Sequence, residues 1–157
     1  MVVVAWQVLI GHRLHPLVSV GDRGTANDGN GRDADPSDPG DSCRGEKSSW
    51  HGTHVAGIAG AAGDNATGIA GVNWVSPILP VRVLGKCGGD TSDVVDAVRW
   101  AAGLAVDGVP ANPTPARVIN LSLGGYSLSC STSLQNAIND VIAQGAVVVT
   151  AAGNEGE

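Results

Sequence analysis

The sequence predicts an α/β fold, a mainly parallel sheet with helices on both faces. Short Val- and Ile-rich runs alternate with amphipathic stretches, in the order strand, helix, strand, helix, strand. That order is the mark of βαβ units with right-handed crossovers. In addition, 23 of the 157 residues are glycine while aromatic residues make up only 3%. A chain so composed packs small side chains closely and turns its backbone often. At this length it forms one domain, residues 1–157, able to bury a core without relying on cross-links.

The elements follow in order. Val2–Ala5 opens a buried strand that Val8–Ile10 continues. Residues 21–49 are dominated by Gly, Asp, Ser, Pro and Asn with no hydrophobic period, so they form a long acidic loop. From His51 to Ala62 small apolar residues recur at helical spacing in spite of Gly52, Gly57 and Gly60. Each glycine costs a helix about 1 kcal/mol against alanine, so close approach of another element is expected to compensate. Ile78–Leu84 reads as a strand. Thr91–Val106 reads as a helix capped by Thr91 or Ser92, with Val94, Val95, Val98, Ala101, Ala102 and Ala105 on its buried side. Arg117–Leu123 is the next strand, Thr132–Ala143 a helix stopped by Gly145, and Ala146–Ala151 a buried strand. A central strand with no following helix to cover it suggests a truncated domain.

Composition excludes several function classes. The net charge is −6, whereas a duplex-binding protein carries a basic face. No apolar run approaches the roughly 18 residues of a membrane span. The apolar start lacks the basic leader and small-residue cleavage site of a secretory signal.

Three short segments carry candidate chemistry. Trp50-His51-Gly52-Thr53-His54-Val55-Ala56-Gly57 places His51 at a helix start, where the dipole disfavours a cation and favours the neutral form a general base requires. Ala151-Ala152-Gly153-Asn154 follows the strand Val147–Thr150, at the end of a strand where α/β sheets bind ligands. An Asn amide there can donate to a developing oxyanion, an effect worth roughly 3 kcal/mol. Asn120-Leu121-Ser122-Leu123-Gly124-Gly125 runs a strand into glycines, leaving backbone groups open to pairing with an extended peptide. Taken singly, each also reads as a packing histidine, a turn asparagine or a plain turn.

Taken together and in this order, HGTHVAG, the Val-Arg-Val-Leu-Gly strand, NLSLGG and VVVTAAGN resemble the subtilisin-like serine proteases, or subtilases. The likeness runs from about Ser49 to Glu157, and the acidic loop with the Leu-Gly-Lys-Cys-Gly-Gly turn looks most like secreted bacterial members with extra disulfides. The resemblance implies a subtilisin-like fold cut after the oxyanion-hole strand, with peptide-bond hydrolysis as the reaction. It implies His51 as catalytic base and Asn154 as the oxyanion-hole side chain. Ser122, Leu123 and Gly124 would line the specificity pocket, with Ala151, Ala152 and Gly153 as its opposite wall. Gly85 and the Cys87-Gly88-Gly89 turn would offer a further strand edge to the substrate, and His54 would be structural. A Cys43–Cys87 disulfide is implied, leaving Cys130 for a partner further along; three free thiols are the alternative. The substrate would be a peptide or protein, with no nucleic-acid or membrane partner, and the enzyme a secreted, extracellular monomer.

Two family motifs are missing. No Asp-Thr-Gly or Asp-Ser-Gly triplet occurs; between Gln7 and Ile10, where alignment wants it, the chain reads Gln-Val-Leu-Ile, and the nearest acid is Asp22. Neither Gly24-Thr25 nor Gly52-Thr53 is followed by the nucleophilic serine. Loss of triad members leaves only weak residual catalysis, so the chain alone is expected to be inactive.

Oxygen-rich residues Asp33, Asp35, Asp38 and Asp41 suit structural calcium, though a solvated acidic loop is the alternative. Two rival functions remain at this level. A zinc site on His51 and His54, or His12 and His15, lacks the i, i+4 spacing and intervening Glu of zinc hydrolases. A non-catalytic, peptide-binding relic of the subtilase fold fits the missing nucleophile.

Overall fold

The computed structural model describes residues 2–5, 17–18, 21–29, 31–35, 37, 39–154 and 156. The expected strand continuation Val8–Ile10, the altered Gln7–Ile10 stretch, His12, His15 and Asp38 lie outside them. Among the described residues five strands form one parallel sheet: β1 (Val2–Ala5), β2 (Leu17–Val18), β3 (Ile78–Arg82), β4 (Val118–Leu121) and β5 (Val147–Thr150). Their spatial order is β2-β3-β1-β4-β5, with Val3 in register with Leu79 on one side and Ile119 on the other. The described helices that accompany the sheet are α1 (Arg23–Ala26), α2 (His51–Gly60), α3 (Thr91–Ala101) and α4 (Thr132–Ala143).

Strand side chains alternate between faces, and the burial pattern separates the two layers accordingly. Leu79, Val81 and Val83 join Ile119 and Leu121 in the main core, with Val94, Ala97, Val98 and Ala101 of α3 and Val141 of α4. Ile78, offset by one residue, instead packs with Val55, Ala56 and Ala59 of α2. Helices therefore cover both faces, as the sequence predicts. The glycines of α2 allow this approach: a Cβ on Gly60 would lie 2.9 Å from Ile78 Cδ1.

Several boundaries differ from expectation. α2 stops at Gly60 rather than Ala62, because Ala61 is already extended and its carbonyl accepts from Gly71. α3 stops at Ala101, five residues early. Gly103 has φ +89°, its N–H donates to Trp100 O and that of Leu104 to Arg99 O, which is the paired Schellman closure. α4 ends the same way at Gly145, whose N–H donates to Ile142 O while Ala146 donates to Val141 O. Ala105 is consequently exposed and Val95 only half-buried, while Asp93, Ala97 and Trp100 are buried in their place. The N-cap of α3 is Asp90, whose side chain makes no capping bond, rather than Thr91 or Ser92. β5, expected to be buried, is exposed at three of its four residues. Among the described strands it is the last in the sheet and pairs with β4.

The acidic loop is more ordered than a featureless linker. It contains α1, whose N-cap Asp22 accepts from Thr25 N. Arg82, fully buried at the end of β3, reaches from the sheet into this loop to pair with Asp28 at 2.9 Å and to donate to Ala26 O. Arg32 bridges Asp93 and Asp96 of α3. Cys43 and Cys87 form a disulfide with their Cα atoms 5.0 Å apart, as the resemblance implied. Cys130 is free and exposed.

Candidate active site

Because all five strands run parallel, the segments leaving β4 and β5 emerge on the same edge of the sheet. The β4–β5 ladder pairs Leu121 with Thr150 and is prolonged by a bond from Ala151 N to Leu121 O at 3.1 Å. Past this point the two chains part. Ser122–Ser127 forms one wall and Ala151–Asn154 the other, around a cleft of about 740 Å³ that His51 also lines.

Each cleft residue is placed by a local device. His51 is the first residue of α2, aimed by Trp50, which takes the left-handed conformation at φ +50°. Its Nδ1 is buried. Ser122 accepts a bond from Asn120 Nδ2 at 2.8 Å, which holds its hydroxyl against the end of β4. Gly124 and Gly125 have open space where a Cβ would stand, so their main chain is accessible to a strand laid beside it. Gly153 turns with φ +92°, a conformation that glycine adopts at no steric cost, and Asn154 follows at the cleft.

The structure thus brings together His51, Ser122, Leu123, Gly124, Ala151, Ala152, Gly153 and Asn154. Gly85 is not among them. It lines a separate cavity of about 220 Å³ with Asp41, Cys43 and Cys87. Its N–H donates to Gly88 O at 2.8 Å in an antiparallel bridge, and a Cβ there would stand 2.0 Å from Thr25 O. The main chain at Gly85 is therefore committed to its own turn and to α1, not open as an edge. His54 is exposed and outside the cleft.

Gly125, within the strand-to-glycine motif, lines the cleft too, as do Tyr126 and Ser127, which sequence reasoning did not single out. The signal was their position directly after NLSLGG. Tyr126 is 85% exposed, unusual for the sole tyrosine of the chain. A second cavity of about 640 Å³ shares Leu123–Ser127 with the first and continues past Gly89, Asp90 and Val94 to Leu134.

Among the described residues the carboxylates of the acidic loop accept bonds from main chain and hydroxyls. Asp33 accepts from Asp35 N, Asp35 from Ser37 N, and Asp41 from Ser49 N and Oγ. Among the described residues no three His, Cys, Asp or Glu side chains gather about a common point, so those present do not by themselves fit calcium or zinc. Partial burial pushes the Asp41 carboxyl up. The two Ser49 bonds and the nearby His51 charge outweigh it and hold the group below the usual carboxylate range. Among the described residues no helix is long and apolar enough to cross a membrane.

Comparison with known proteins agrees with this geometry. Residues 12–157 match the model of the subtilase family, Peptidase S8. An extracellular protease of Xanthomonas campestris is 52% identical over 145 residues, covering 87% of this chain and 25% of that protein. An extracellular basic protease of Dichelobacter nodosus is 52% identical over 77 residues, covering 49% of this chain and 13% of that one. A solved protease structure from Pseudoalteromonas arctica superposes with a TM-score of 0.91 at 48% identity, covering 98% of this chain and 49% of that chain. The chain spans about a quarter of the Xanthomonas protein and half of the Pseudoalteromonas one.

Proposed function

The chain belongs to the subtilase family, and from that premise we propose that it is the part of a secreted serine endopeptidase that carries the catalytic base and the oxyanion-hole amide. The observation that carries this reading is the single cleft lined by His51, Ser122–Ser127 and Ala151–Asn154. An extended peptide pairs with the main chain at Leu123–Gly125, its side chain entering the space between the two walls. His51 takes the proton from an attacking hydroxyl, and the Asn154 amide donates to the oxyanion that forms on the scissile carbonyl.

The attacking hydroxyl is not within these 157 residues, which contain no Gly-Thr-Ser. The chain alone therefore holds peptides without cleaving them, and works as a protease only when a serine is supplied to the cleft. Two of the similar proteins are described as extracellular, and a disulfide suits an oxidising compartment; both support secretion. A structural Ca²⁺ belongs to this reading only if groups outside the described residues complete its shell, which melting with and without EDTA checks.

Incubating the purified chain with a fluorogenic peptide and with the matching peptide aldehyde tests the reading. It predicts saturable, reversible binding of both, no turnover and no covalent adduct. Absence of any binding contradicts the cleft assignment, and covalent capture or turnover contradicts the absence of a nucleophile.

A further inference from the structure

The cavity of about 640 Å³ that adjoins the cleft shares Leu123–Ser127 with it but is built differently. Val94 is buried and Leu84, Leu123 and Leu134 are half-buried, so much of its inner surface is aliphatic. Of the described residues that line it, Asp90 alone carries a formal charge, and no Lys, Arg or His is among them. Asp90 precedes α3 as its N-cap residue, yet its side chain makes no capping bond. Nor does it join an ion pair among the described residues: Arg32, the basic side chain held against α3, is taken by Asp93 and Asp96. The nearby hydroxyls are engaged locally. Ser127 Oγ donates to Ser129 O at 2.7 Å, and Ser131 Oγ accepts from Leu134 N–H at 3.3 Å.

We propose that this cavity is a subsite for a long cationic side chain of the bound peptide, lysine or arginine, and that Asp90 is the residue that selects it. The inference rests on the protease reading for the placing of the peptide along Leu123–Gly125, and adds to it a preference in sequence. Because that segment borders both cavities, a peptide laid along it offers one side chain to each. A lysine or arginine buries its methylene stem on apolar surface and keeps its head at a polar end. Leu84, Val94, Leu123 and Leu134 suit the stem, and Asp90 suits the head. Tyr126 lines the cavity as well, and an aromatic face also attracts a cation. An aliphatic guest would fill the same walls but leave the carboxylate without a partner. An acidic guest would set two like charges together.

The test is a binding scan on the whole chain, read by fluorescence anisotropy. Labelled extended hexapeptides carry lysine, the uncharged and similarly shaped norleucine, or glutamate at one position at a time. Lysine is expected to bind roughly two- to fivefold tighter than norleucine at one position and not at the others, with glutamate weakest there. Asp90→Asn keeps a favourable N-cap residue for α3 and should remove the lysine advantage while the norleucine peptides bind as they do to the parent. Should that variant fail to fold, salt decides in the parent. The lysine advantage should shrink between about 0.05 and 0.5 M salt, and an advantage indifferent to salt overturns the proposal. So does an advantage that survives in folded Asp90→Asn, or one spread evenly over all positions, which is mere attraction to a chain of net charge −6. Equal binding of lysine and norleucine everywhere overturns the subsite and leaves the protease reading standing; binding of no peptide at all overturns both.

Discussion

The two sides of the cleft are held in place by different physics. The walls at Ser122–Ser127 and Ala151–Asn154 continue strands β4 and β5, and β4 is anchored by Ile119 and Leu121 in the apolar core beneath α3 and α4. His51 stands at the end of a loop fastened by separate polar bonds: Arg82 to Asp28 and Ala26, Arg32 to Asp93 and Asp96, Asp41 to Ser49, and one disulfide. Apolar burial is collective and insensitive to solvent conditions near neutrality. Charge-assisted bonds and a disulfide respond to pH and to redox state. The walls should therefore persist under conditions that release His51.

The largest effect comes from attacking the apolar core in which β4 is anchored. Leu79 is fully buried in the main core, and Leu79→Ala should lower global stability by about 2–5 kcal/mol in urea unfolding. A loss below 1 kcal/mol would mean that the core does not carry the sheet. The paired change Cys43→Ser with Cys87→Ser should cost about 2–4 kcal/mol. Its local signature sharpens the contrast: amide exchange should accelerate at Ser49 and His51 while Ile119 and Leu121 keep their relative protection.

The smallest effect is acid loosening. Asp22, Asp35 and Asp41 all titrate below the usual carboxylate range, each through bonds from a neighbouring Thr or Ser. A carboxyl depressed in the folded state contributes stability above the unfolded value of 3.8, and that contribution is lost as pH falls through the lower folded value. Protection factors at Ser49 should thus drop below about pH 4, before those in β4 change. Simultaneous loss in both regions would erase the distinction between them.

Much of the architecture was legible because it rests on local signals. Alternating apolar runs gave the parallel sheet, and Gly145 gave the end of α4. Gly103 carries the same signal but lies inside an apolar pattern that continues to Val106, so the period overrode the glycine and extended α3 too far. Burial of β5 was misjudged because a Val-rich run specifies a strand but not its neighbours; as the last of the described strands it stays mostly exposed. The cleft residues were readable because motif order along parallel strands fixes which ends share an edge. Gly85 lies outside that cleft, and its bonding to Gly88 and closeness to Thr25 could not be read locally because the latter is a contact between distant segments. The Asp41–Ser49 bonding escaped for the same reason, since eight residues separate the acid from the serine.

The central claim is that a peptide lies between His51 and Asn154, bordered by the strand ends of β4 and β5. Titrating the isotopically labelled chain with a non-cleavable extended peptide and following amide and imidazole resonances tests it most directly. The account predicts saturable shifts, with one common affinity, at Leu123, Gly124, Gly153, Asn154 and the His51 ring. Shifts confined to the cavity around Gly85 and Cys87, with those five groups silent, would contradict it.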